Sequence, residues 1–270
     1  MLSTQRSSDC TTPMRIKTPL HALQPLLAAL AATVATVAFG ASYELRVYAD
    51  DIPKKDDAEI ELIASIAKPK SSATGPNGHV TQLLVEYGYG LGNGWTIGLE
   101  LPMSQVQGQR KLEGLKTEVQ YVAPHAPDVG FYWGVRADVG YTSTPYDSQG
   151  GNSIGINPIL GFRWFTWHVT VNPSLEIPLS GESTQAQFQP AAKISKMINP
   201  RRQLGFEYFS NWGAASAPLA RHLRDEALYA VWDEKLQSHR LQLGLGRPLH
   251  PAGGSVDKWI VKVGMNVDID

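Results

Sequence analysis

From about residue 57 onward the sequence alternates. Trp95, Ile97, Leu99, Leu101 and Met103 are separated by Gly94, Thr96, Gly98, Glu100 and Pro102. Val129, Phe131, Trp133, Val135, Ala137 and Val139 are separated by Asp128, Gly130, Tyr132, Gly134, Arg136 and Asp138. Period two across such a block means a strand with one apolar and one polar face. Twelve such segments can be placed, near 57–66, 79–90, 94–103, 113–122, 128–141, 152–163, 165–177, 184–196, 202–211, 225–234, 238–247 and 257–268. A soluble strand averages ~5–6 residues, whereas a tilted strand that crosses a bilayer needs ~9–11. The blocks fit the second length.

The connections constrain the fold further. Six long ones, at 67–78, 104–112, 142–151, 178–183, 211–224 and 248–256, alternate with five short ones, at 91–93, 123–127, 164, 198–201 and 235–237. Long loops at one end and tight turns at the other describe an up-and-down barrel with both termini at the short-turn end. The expected fold is all-β, a transmembrane barrel of about twelve antiparallel strands. A mean hydropathy of −0.19 excludes an apolar helix bundle and is consistent with a barrel, where apolar content appears as a period and not as a run. A lipocalin-like soluble barrel, with the aromatic face inside, is the alternative reading.

The polar face carries charge on nearly every strand: Glu59, Glu61, Glu86, Glu100, Lys116, Glu118, Arg136, Asp138, Arg163, Glu176, Lys193, Glu207, Arg240, Lys258 and Lys262, joined by His168. These are the expected lumen-lining residues. They can pair across strands and close the barrel, since isolated buried charges are costly. Alternatively they line a narrow wet channel of little ion selectivity. On the apolar face Tyr89, Trp95, Tyr121, Trp164 and Trp259 fall at segment ends, as an interfacial girdle requires.

Residues 1–40 are expected to be a cleaved signal peptide. Arg15 and Lys17 precede an uncharged stretch, Leu26 to Phe39, that is shorter than the ~20 residues a spanning helix needs. Ala38-Phe39-Gly40 offers a cleavage pattern, and Met14 is a second candidate start. An uncleaved anchor is the alternative. Removal of residues 1–40 takes Arg6, Arg15, Lys17 and Asp9, leaving 21 basic and 24 acidic residues. It also takes Cys10, the single cysteine, so the mature chain carries no disulfide, thiolate metal site or Cys nucleophile. Residues 41–56 are expected to be a periplasmic segment or a partial plug in the barrel mouth, with Lys54-Lys55-Asp56-Asp57 as its solvated entry. Residues 57–270 form the barrel.

No chemistry-bearing motif emerges. His21, His79, His125, His168, His222, His239 and His250 show no paired spacing that would hold a metal. Some outer-membrane barrels cleave lipids with a Ser/His pair. In Phe206-Glu207-Tyr208-Phe209-Ser210-Asn211 Tyr208 stands where the His would be needed, so Ser210 lacks a base. Gly88/Gly90 and Gly244/Gly246 precede no helix and are not phosphate loops. No catalytic residue, metal or cofactor is expected. The near-neutral charge excludes a nucleic-acid binder. The expected partners are outer-membrane lipid and lipopolysaccharide, the barrel-assembly machinery and small solutes.

The stretch Tyr43 to Lys55, the run Glu86-Tyr87-Gly88-Tyr89-Gly90-Leu91 and the run Gly94-Trp95-Thr96-Ile97-Gly98-Leu99-Glu100-Leu101-Pro102 resemble Gram-negative outer-membrane barrels related to the MetA-pathway-of-phenol-degradation family. The resemblance covers most of 43–268 and is diffuse, since Tyr-Gly and Gly-Trp strand ends occur in many barrels. It implies an outer-membrane pore or uptake role for small, in some cases hydrophobic or aromatic, solutes and carries over no catalytic residue. Such barrels commonly end on an aromatic residue, and this chain ends Asn266-Val267-Asp268-Ile269-Asp270.

Overall fold

The computed structural model describes residues 45–69, 80–106, 108–126, 128–144, 147–180, 185–236, 239–249 and 257–269. The sequence-predicted signal peptide lies outside the described residues. Thirteen strands follow in chain order: β1 (Ala58–Pro69), β2 (Val80–Gly92), β3 (Trp95–Val106), β4 (Gln109–Leu112), β5 (Gly114–Val122), β6 (Gly130–Thr144), β7 (Asp147–Trp164), β8 (Trp167–Pro178), β9 (Gln187–Asn199), β10 (Arg202–Asn211), β11 (Asp225–Leu236), β12 (His239–Pro248) and β13 (Asp257–Ile269). Apart from β4 and β5, which do not pair with each other, each pairs antiparallel with its chain neighbours, and β1 pairs with β13, which closes the sheet. Both β4 and β5 pair with β3, on either side of Glu113, so they form one interrupted staple and the closed barrel has twelve strands.

Two expected long loops are shorter than their composition suggests. The segment 104–112 is a hairpin in which Val106 pairs with Gln109. The segment 142–151 is the tip of the β6–β7 hairpin, paired as far as Thr144 and Asp147. Ser, Thr, Gln and Gly there read as loop, but pairing with the partner strand overrides that local preference. At the other end the β2–β3, β7–β8 and β9–β10 turns are two residues each, while the β5–β6 connection, 123–129, is longer than the expected 123–127. Gly92, Asn93 and Gly94 all take positive φ between β2 and β3, which glycine and asparagine accept most readily. The β7–β8 turn is Phe165-Thr166, with Phe165 also at positive φ.

Burial is inverted relative to a soluble barrel. Along β5 the pattern is strictly alternating: Lys116, Glu118 and Gln120 are buried while Leu115 and Val119 are exposed. Arg136 is 0% exposed, whereas Trp133 and Leu245 are 48% and 62% exposed. Water would not tolerate that outer surface, and a bilayer requires it. The lipocalin-like alternative is thereby excluded. At the short-turn rim Tyr121 lies 4.8 Å from Trp95 and 5.8 Å from Trp133, and Trp164 lies 5.8 Å from Phe165 (ring centroids). These clustered rings suit the interfacial layer.

Candidate functional site: the barrel interior and the strap across it

Register brings the charged positions together in layers. Glu61, Glu86, Glu100 and Lys116 are successive cross-strand partners from β1 to β5. Glu118 pairs with Asp138, and Arg136 with Asn157. Lys193, Glu207 and Tyr229 follow one another on β9, β10 and β11. The alternation therefore stacks these side chains at common heights on the inner face.

Two ion-pair groups result. Arg136 donates to Glu100 and Glu118 and lies 3.0 Å from Asp138, which Lys116 approaches at 3.3 Å. Glu86, Glu100 and Glu118 stand close enough to share one cation, and two guanidinia neutralise them, Arg136 at Glu100 and Glu118 and Arg46 at Glu86. Across the barrel, Lys193 lies 3.2 Å from Glu207 and 2.9 Å from Asp233, and Lys262 also donates to Glu207. Neutralised this way, buried charge is tolerable.

Sequence reading gives residues 41–56 as a periplasmic segment or a partial plug, without contacts. In the structure, residues 45–52 cross the interior as an extended strap outside any strand. Leu45 packs with Tyr229, Val231 and Ile260. Arg46 donates to Glu86 and lies 2.9 Å from Glu61. Tyr48 packs on Ile159 and Tyr132, beneath the Arg136 guanidinium at 4.3 Å. Asp50 lies 2.6 Å from Arg163, 3.2 Å from His125 and 3.9 Å from His168. Asp51 lies 2.6 Å from Arg240. Main chain is held too: Asn172 Nδ2 donates to Tyr48 O (2.9 Å), Asn172 Oδ1 accepts from Tyr48 N (2.8 Å), and Lys262 Nζ donates to Leu45 O (2.8 Å). The entry then docks on β2. Asp56 N donates to Gly90 O and Gly90 N to Asp57 O, and a Cβ on Gly90 would collide with Lys54 O.

The remaining candidates are placed as follows. Glu59 accepts from Asn266 Nδ2 at 3.0 Å. His168 Nε2 lies 2.6 Å from the Tyr132 hydroxyl. Glu176 lines a cavity at the long-loop end. Lys258 lies in β13, but its side chain falls outside the described atoms. Sequence reading missed Arg46, Tyr48, Asp50, Asp51, Asn172 and Asp233. The first four sit in a segment without periodicity, Asn172 is an uncharged residue on the polar face of β8, and Asp233 lies near the end of β11. The glycines on the polar face leave room for specific neighbours: Gly246 faces the Tyr229 ring and Gly244 the Lys262 stem.

The strap divides the interior. A cavity of about 660 Å³ on the long-loop side is bounded by Leu45, Arg46 and Tyr48. A second of about 290 Å³ on the short-turn side is bounded by Leu45, Arg46, Val47, Ala49 and Asp51. The larger has an apolar wall (Leu84, Phe209, Tyr229, Ile260) and a polar one in which Ser153, Asn157, Asn172 and Gln189 stand with the charged Glu113, Lys116 and Glu176.

This arrangement can be set beside solved structures. An outer membrane channel from Pseudomonas putida F1 superposes with a TM-score of 0.58 at 11% identity, covering 84% of this chain and all of that one. The NanC porin superposes with a TM-score of 0.52 at 11% identity, covering 77% and 98%, and the KdgM porin with 0.50 at 12%, covering 78% and 99%. The fold is that of outer-membrane channels and porins. The sequence matches no family model and no curated relative, so the resemblance to the MetA-pathway-of-phenol-degradation group gains no support beyond the shared architecture.

Proposed function

We propose that the chain is a non-enzymatic outer-membrane channel for small solutes whose passage is closed at rest by residues 45–52. One observation carries this reading: the strap is the partition between two cavities that open toward opposite ends of the same barrel. Its polar anchors are ion pairs and hydrogen bonds, the hydrogen bonds worth ~0.5–3 kcal/mol net each, beside the packing of Leu45 and Tyr48. Such contacts can be exchanged for water without unfolding the barrel. The strap enters at the short-turn, periplasmic rim, so the larger cavity faces outward and receives the solute first. Its apolar wall accommodates an aliphatic or aromatic portion and its polar wall a polar one.

The test is conductance of the mature chain in planar bilayers. Wild type is expected to show rare, small steps. Arg46→Ala combined with Asp51→Asn is expected to open more often and wider, because each end of the strap loses an ion-pairing side chain. Absence of current from both proteins, in samples that migrate as folded barrels, favours the second reading. In that reading the Arg136 and Lys193 networks seal a structural barrel.

A further inference from the structure

We infer that the groove occupied by residues 45–52 is a binding site for a short extended peptide, one that carries a cation and, about four residues later, a carboxylate. The strap is the intramolecular occupant of that site. The inference rests on the channel reading in one respect only, that the strap can leave its groove.

Three independent features of the groove point to a peptide. First, it recognises main chain. Asn172 accepts from the N–H and donates to the C=O of the same residue, Tyr48, as a neighbouring β-strand would. Lys262 adds a bond to the carbonyl of Leu45. An aliphatic solute offers no such donor and acceptor. Second, the groove has side-chain pockets on alternating sides. Leu45 enters the one made by Tyr229, Val231 and Ile260, and Tyr48 the one made by Tyr132 and Ile159. Third, it is electrically polar along its length. Glu61 and Glu86 face the cation of Arg46, while Arg163 and Arg240 face the carboxylates of Asp50 and Asp51. From position 46 to 50 an extended chain spans roughly 13 Å, so the charge separation selects length as well as sign.

The groove has to hold its occupant without the sheet. Residues 45–52 belong to no strand, so no ladder bond is lost when they leave. A second peptide of like pattern can make the same contacts in trans.

The experiment uses fluorescein-labelled, amidated Leu-Arg-Val-Tyr-Ala-Asp-Asp-Ile and its charge-reversed counterpart, with Asp in place of Arg and Arg in place of both Asp residues. Each is titrated by fluorescence anisotropy against the refolded mature chain in detergent. Wild type is compared with Arg46→Ala/Asp50→Ala/Asp51→Ala, in which the strap is loosened and the groove is intact. The loosened variant is expected to bind the first peptide saturably and at least tenfold more tightly than the reversed one. Wild type is expected to bind it at least tenfold more weakly, because its own strap competes. Should the triple variant fail to fold, Arg46→Ala alone serves, with the same ordering of peptides.

No saturable binding to a folded, loosened barrel overturns the proposal, and so does equal binding of the two peptides. Conductance separates this from the channel reading. Binding without current leaves the peptide site standing and removes the channel; raised current without binding does the reverse.

Discussion

Arg136 sits at the centre of the charge network with no exposed surface. Its guanidinium serves Glu100, Glu118 and Asp138 at once and covers the Tyr48 ring. Three carboxylates within reach of one cation would repel one another if it were removed. Removing one partner of a buried ion pair typically costs ~3–5 kcal/mol, because the charge left behind is uncompensated. Arg136→Ala is therefore expected to lose about that much folding free energy, read from urea titration in lipid vesicles. Arg136→Lys restores a charge but not the fork that meets several oxygens together, so it should recover only part. A small loss for both variants would show that Lys116, 3.3 Å from Asp138, can take over the cluster.

At the scale of the element, the strap and β1 are one continuous piece of chain with opposite characters. Residues 58–69 alternate and pair on both sides. Residues 45–52 do neither and are fixed by side chains from β1, β2, β6, β7, β8, β11, β12 and β13. Asp51 shows how robust the fixing is. Desolvation raises its carboxyl, but the Arg240 guanidinium beside it outweighs that and holds it at about 2. A depressed carboxyl contributes stability that is complete above its unfolded value of ~3.9 and is lost as pH falls through the folded one. The Asp51–Arg240 contact should thus stay made from pH 7 down to 4. Asp51→Asn is expected to raise open probability by the same factor at pH 7 and pH 4, measured on single channels. No effect of Asp51→Asn at either pH would mean that this contact does not hold the strap. The strap also marks where sequence reading stops. Strands such as Arg202–Asn211 were legible to the residue, because inner and outer environments differ at every position. An extended strap has no period, and which wall each of its charges meets depends on closure of the whole sheet.

For the molecule as a whole, the decisive quantity is which face meets which solvent. Sequence period alone is symmetric: it separates two faces without saying which is inside. Strand length and alternating loop length break the tie toward a membrane barrel, and the structure agrees, with Lys116 and Glu118 buried between exposed Leu115 and Val119. The lumen partners were less legible, because Glu207 meets Lys193 by cross-strand register but Lys262 only across the closed barrel. An energetic asymmetry follows from this placement. Leu99 lies well inside β3 on the outer face and is 44% exposed, where a lipid tail is its neighbour. An arginine there has no internal partner and must drag water or headgroup to itself, at ~2–4 kcal/mol near the midplane against ~0–1 at the interface. Leu99→Arg is expected to cost the larger amount in vesicle refolding, and Trp164→Arg, at the turn end of β7 among the rim aromatics, the smaller. In water-soluble packing the difference would vanish, since a half-exposed arginine would be harmless at either place. Equal, negligible costs for both variants would therefore mean that this outer face does not meet lipid.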